Sequence, residues 1–142
     1  MILYYILVPL AWLVFHIGFR VRCEGRENLK KIGTKGCIIA PNHISAIDPV
    51  FGVIARFWGQ RMTVFAKKEL FEINAFLSWF FRCAGAVCVR GTKEEVSVID
   101  DTVKKCQEGG TLLLFPEGTR EQEGKFLPLK SGLFVIAAAA QW

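Results

Sequence analysis

Short apolar runs alternating with helical segments predict an α/β domain, with a largely parallel sheet and crossover helices, preceded by an N-terminal membrane-associated helix. Three observations carry the expectation. The runs "CIIA", "AVCV" and "TLLLF" are too short for helices and are bounded by glycine, proline or charged residues. Between such runs Val96, Ile99, Val103 and Cys106 recur at helical spacing. Residues 2–19, "ILYYILVPLAWLVFHIGF", contain no Lys, Arg, Asp or Glu.

The elements follow in order. An 18-residue helix over 2–19 is about 27 Å long, just under the ~30 Å hydrocarbon core, so it either just spans or lies embedded in one leaflet. Pro9 favours partial insertion. Arg20, Arg22, Arg26, Lys30, Lys31 and Lys35 follow it, which places the remaining chain on the cytoplasmic side of the cell membrane. No charged stretch precedes the apolar run, against a cleaved signal peptide. "FRVRCEG" alternates like a strand and "ENLKKIGTKG" reads as a polar connection. "CIIA" is a strand, "PVFGVIARFWG" a helix, "RMTVFAKK" a strand, "INAFLSWFFRCAG" an aromatic-rich helix and "AVCV" a strand. Residues 93–108 form the next helix, closed by Gly109-Gly110. "TLLLF" is a buried strand, and "GLFVIAAAA" opens a last helix.

At 142 residues the chain is one domain or part of one. It is 52% apolar, with mean hydropathy +0.33, net charge +5 and pI about 9.1. Those values suit a membrane surface or a phosphorylated substrate. The charge clusters beside the apolar helix and no nucleic-acid module is present, so no nucleic-acid partner is expected. Five cysteines without a C-x-x-C pair read as reduced thiols, and with only two histidines no metal centre is expected.

Three strand-end turns carry the chemistry, since ligands of parallel sheets gather at the carboxyl ends of strands. In "APNHISAIDPV", His43 and Asp48 stand five residues apart, about 140° on a continuous helix, so they meet only if the chain bends between them. Asp48-Pro49 supplies the bend as a helix start, with Asp48 at the N-cap and Pro49 first inside. Asp48 is then either a cap alone or the group that orients His43, a natural base toward an alcohol. Ser45 lacks a G-x-S-x-G setting and is not expected to be a nucleophile. In "LFPEGTR", Gly118 allows close backbone approach, Thr119 offers a hydroxyl and Arg120 a planar cation for phosphate. Glu117 either pairs with Arg120 or accepts from a substrate hydroxyl. The third turn ends at Arg90.

These blocks resemble the glycerolipid acyltransferases, above all the bacterial 1-acyl-sn-glycerol-3-phosphate acyltransferases. "NHISAID" is similar to the family's N-H-x-x-x-x-D block and "LFPEGTR" to its F-P-E-G-T-R block, supported by "FAKKELF" (65–71), "GAVCVRG" (85–91) and "LKSG" (129–132). Arg90 aligns with the family's second-block arginine after a one-residue deletion. The resemblance implies transfer of a fatty acyl group from acyl-carrier protein or coenzyme A to the 2-hydroxyl of lysophosphatidic acid, giving phosphatidic acid for phospholipid synthesis. It also implies His43 as base, Asp48 as its orienting group, and Glu117, Gly118, Thr119, Arg120 and Arg90 around the acceptor's phosphate and glycerol. No cofactor is implied beyond the acyl-ACP or acyl-CoA co-substrate, and the partners are membrane phospholipid, lysophosphatidic acid and the acyl carrier. Residues 1–19 are expected to be the anchor and 20–142 the acyltransferase domain, incomplete at the C-terminus because the family continues into further sheet. The alternatives are a non-catalytic membrane-associated lipid-binding fragment, and a sister enzyme acylating another lysophospholipid or glycerol 3-phosphate.

Overall fold

The computed structural model describes residues 2–32, 36–55, 61–90 and 95–141. The apolar runs become four strands, β1 (Cys37–Ile39), β2 (Met62–Lys67), β3 (Ala86–Arg90) and β4 (Thr111–Leu113). They form one sheet in the order β1-β4-β2-β3, with every pairing parallel. Seven helices surround it among the described residues: α1 (Ile2–Gly18), α2 (Arg26–Ile32), α3 (Asp48–Ala55), α4 (Lys68–Glu72), α5 (Ala75–Cys83), α6 (Glu95–Gln107) and α7 (Gly132–Ala139). The predicted continuation of α3 into "RFWG" and the start of the 93–108 segment lie outside the described residues.

Alternation along the strands divides the core into two layers. Leu112 and Leu114 point to one face, where Cys106, Ile136 and Ala140 join them with Ile38, Phe65, Ile99, Val103 and Leu133, so α6 and α7 cover that side. Leu113 points to the other face and packs with Met62, Val64, Ile39 and Val53 beneath α3. Gly52 lets α3 approach very closely, since a Cβ there would stand 2.8 Å from Leu113 Cδ2. Close seating of α3 matters because its first residue is Asp48.

The helix α1 is docked on the domain. Tyr4 and Val8 are buried, the Met62 N–H donates to the Tyr4 hydroxyl at 3.3 Å, and Phe15 meets Phe51 of α3 edge-on. Its opposite face is also apolar and exposed, with Ile2, Tyr5, Ile6, Leu10, Leu13, Val14 and Ile17 outward. At 17 residues with Pro9 inside, neither α1 nor any other helix among the described residues is long and apolar enough to cross a membrane.

Three expectations need correction. Residues 19–24 form no strand; Arg20 adopts φ 51 and the Val21 N–H folds back onto the Phe15 carbonyl, so the alternating apolar residues meet no partner strand. The polar connection contains α2, with Glu27 in its first turn and Lys30 and Lys31 in its last, charges placed to favour a short helix. The strand reading ends at Lys67 rather than Lys68, because Lys68 opens α4 and pairs with Glu72 at 2.8 Å, one helical turn on. Asn74 then caps α5, accepting from the Leu77 N–H at 2.8 Å.

Candidate active site

Because β4 lies beside β1, the turns leaving these two strands stand side by side. One carries His43 and Asp48, the other Glu117 to Arg120. The chain locks them together, with the Glu121 N–H donating to the His43 carbonyl at 2.7 Å and the His43 ring stacking on Phe115 with 4.0 Å between centroids. The imidazole is thereby held from below by a side chain from the neighbouring strand end.

The bend between His43 and Asp48 is made by the carboxylate itself. Asp48 Oδ2 accepts from His43 Nδ1 at 2.9 Å, from the Ile44 N–H at 2.8 Å and from the Ser45 N–H at 2.7 Å. A carboxylate only accepts, so the proton sits on Nδ1 and Nε2 keeps its lone pair. The expected helix cap shifts by one residue: the Phe51 N–H donates to the Ile47 carbonyl, which makes Ile47 the N-cap and Asp48 the first helical residue. The Asp48 side chain reaches back into the turn instead of forward over the helix end. Ser45 Oγ accepts from the Ile47 N–H at 3.4 Å and serves the same turn.

Partial burial pushes the Asp48 carboxyl up, but the Ser45 N–H, the His43 ring and the Ile44 N–H more than offset this and hold it below its ordinary value of 3.8. Glu121 behaves alike: burial raises it, and the backbone N–H groups of residues 122–125 bring it below the usual value. Both carboxyls are lowered on folding, so their stabilising contribution is complete above the ordinary carboxylate range and is lost as pH falls through the folded values. The thermal midpoint is therefore expected to drop below about pH 4, and Asp48→Ala should flatten that drop when midpoints are measured from pH 2 to 7.

In the second turn Glu117 is turned inward and is only 4% exposed, with Oε2 buried and lacking a hydrogen-bond partner among the described residues. The alternative of a surface Glu117–Arg120 pair is not what forms: Arg120 is exposed and no ion pair joins the two among the described residues. Gly118 has φ 69, a conformation few other residues adopt, and Thr119 is exposed beside it. Arg90 ends β3 opposite Lys67, next to a register shift. It lies on the same sheet edge but two strands from β4, roughly 10 Å across the sheet, and its side chain lies outside the described residues.

Residues 20–142 match the family described as Acyltransferase. The chain belongs to the acyltransferase family. It is 31% identical over 124 residues to a chloroplastic 1-acyl-sn-glycerol-3-phosphate acyltransferase of Brassica napus, covering 84% of this chain and 34% of the relative. It is 34% identical over 120 residues to the 1-acyl-sn-glycerol-3-phosphate acyltransferase of Helicobacter pylori, covering 80% of this chain and 49% of the relative. A crystal structure titled as the 1-acyl-sn-glycerophosphate acyltransferase of Thermotoga maritima is 23% identical with TM-score 0.49, covering 97% of this chain and 68% of that one. The chain thus spans between a third and a half of the length of those two curated relatives.

Three residues at this candidate site were given no role by the sequence, although "LKSG" contains one of them. Phe115 lies two residues beyond β4, and its meeting with His43 depends on β1–β4 adjacency, which no local pattern encodes. Glu121 closes its own turn by accepting from the Lys125 N–H at 2.9 Å; the neighbouring Glu123-Gly124 was the available turn signal. Lys130 is held beside Pro116 by a backbone bond of 2.9 Å, although it is fourteen residues further along.

Proposed function

We propose that this acyltransferase chain moves a fatty acyl group from an acyl-carrier-protein or coenzyme A thioester to the 2-hydroxyl of 1-acyl-glycerol 3-phosphate, giving phosphatidic acid in phospholipid synthesis. The observation that carries the reading is the His43 Nδ1 to Asp48 Oδ2 hydrogen bond of 2.9 Å, which leaves Nε2 as the proton acceptor. Nε2 takes the proton of the acceptor hydroxyl as that oxygen bonds to the thioester carbonyl carbon. The C–S bond then breaks, and the leaving thiolate collects the proton from the imidazolium, which Asp48 stabilises. No acyl-enzyme forms and no cofactor beyond the thioester takes part. The names of the curated relatives support the choice of acceptor.

Arg120, with Arg90 assisting, binds the phosphate, while Glu117 accepts from the glycerol part and Gly118 and Thr119 shape the approach. The outward apolar face of α1 lies against lipid on the cytoplasmic side of the cell membrane, where the basic residues after Phe19 meet anionic headgroups. Charge-assisted hydrogen bonds contribute about 1.5–3 kcal/mol, so Arg120→Ala is expected to raise the acceptor KM about tenfold or more and the donor KM much less. Equal loss for both substrates would mark Arg120 as structural.

The deciding experiment follows thiol release and phosphatidic acid formation with lysophosphatidate, lysophosphatidylcholine and glycerol 3-phosphate as acceptors. Thiol release with lysophosphatidate alone supports the proposal; preference for another acceptor identifies a sister enzyme. Folded protein that binds lysophosphatidate vesicles without turnover would make this chain a lipid-binding fragment.

A further inference from the structure

We infer that Lys130 is a phosphate-binding residue of the acceptor site, an inference resting on the acceptor reading above. The backbone fixes its position, with the Lys130 N–H donating to the Pro116 carbonyl at 2.9 Å. Its side chain crosses the turn at Gly118, where a Cβ would stand 2.9 Å from Cε and 3.0 Å from Nζ. With no Cβ at Gly118, the end of the exposed Lys130 side chain lies close over the turn. Lys130 forms no ion pair among the described residues, so the rotamer freedom lost in holding the stem over the turn is not offset by an internal anion. The carboxylate of the turn does not neutralise it either, because Glu117 faces inward and its Oε2 has no partner among the described residues.

Gly118 is therefore flanked by two cations that form no ion pair among the described residues. Arg120 is exposed two residues further along the turn, and Lys130 lies across the glycine from a different segment. A phosphate monoester carries up to two negative charges and three terminal oxygens, which one guanidinium does not exhaust. An ammonium point charge complements the planar fork, and together they select a terminal phosphate over the zwitterionic headgroup of phosphatidylcholine.

The test compares binding of the wild-type chain, Lys130→Met and Lys130→Arg to phosphatidylcholine vesicles doped with lysophosphatidate or with lysophosphatidylcholine. Expected is a wild-type preference for lysophosphatidate, a loss of about tenfold or more of that affinity in Lys130→Met, unchanged binding to lysophosphatidylcholine vesicles, and recovery in Lys130→Arg. A wild-type preference that survives in Lys130→Met overturns the role of the lysine while the acceptor reading stands. No wild-type preference overturns both. If Lys130→Met lowers the thermal midpoint and binding to both vesicle types together, the lysine serves Glu117 or the turn itself, and the inference fails; Lys130→Gln repeats the comparison with a polar stem.

Discussion

His43→Ala is expected to lower kcat for acyl transfer by roughly 10²–10⁴ while the acceptor KM stays near its original value, because a general base contributes chiefly in the transition state. The geometry sharpens the expectation. The ring is oriented by a hydrogen bond on one nitrogen and a stacked Phe115 beneath, so alanine removes a positioned base and leaves both supports in place. The imidazole is partly buried, at 18% side-chain exposure. Steady-state kinetics with lysophosphatidate and a long-chain thioester decide the matter. Near-normal turnover, or an acyl group trapped on Ser45, would remove the direct-attack mechanism.

Asp48→Asn is expected to cost up to about 10⁴ in kcat, since an amide neither stabilises the imidazolium nor holds the tautomer as a carboxylate does. Its structural cost should be small by comparison. The amide oxygen still accepts from the Ile44 and Ser45 N–H groups that Oδ2 serves, leaving a loss of about 1–2 kcal/mol from exchanging charged for neutral hydrogen bonds. Turnover and thermal midpoint measured on the same preparation separate the roles. Lost activity in a stable protein makes Asp48 the orienting group, whereas a collapsed midpoint with proportionate activity loss makes it only the closure of its turn.

What was legible in the sequence was local. "CIIA", "AVCV" and "TLLLF" announce themselves as strands because each is brief, apolar and punctuated, and parallel pairing follows from the helices between them. The meeting of His43 with Asp48 was also legible, since Pro49 forces a break between a loop and a helix. The helix start itself was displaced by one residue, because an aspartate with three backward donors is better satisfied in its own turn than over a helix end. The alternation in "FRVRCEG" misled for a tertiary reason: a strand needs a neighbour, and Phe19 finds none and stands exposed. Lys68 continues the strand pattern in sequence, but the Glu72 that draws it into a helix lies one turn further on. Strand order was beyond local reading altogether, and with it went Phe115, whose meeting with His43 depends on β4 lying next to β1; Lys130 was missed because it folds back onto Pro116 across a fourteen-residue loop.

The insertion of β4 between β1 and β2 also fixes when the site can exist. Cys37 of β1 sits against Thr111 of β4, 74 positions later in the chain. At roughly 5–20 residues per second of synthesis, β1 waits about 4–15 s for its neighbour to be made. The β2–β3 pair closes a much shorter loop and can form during that wait. Until residues 111–121 leave the ribosome, His43 has neither the ring of Phe115 nor the backbone tie to Glu121. A nascent chain stalled before that point holds the histidine and aspartate in sequence but not the neighbouring strand end that seats them.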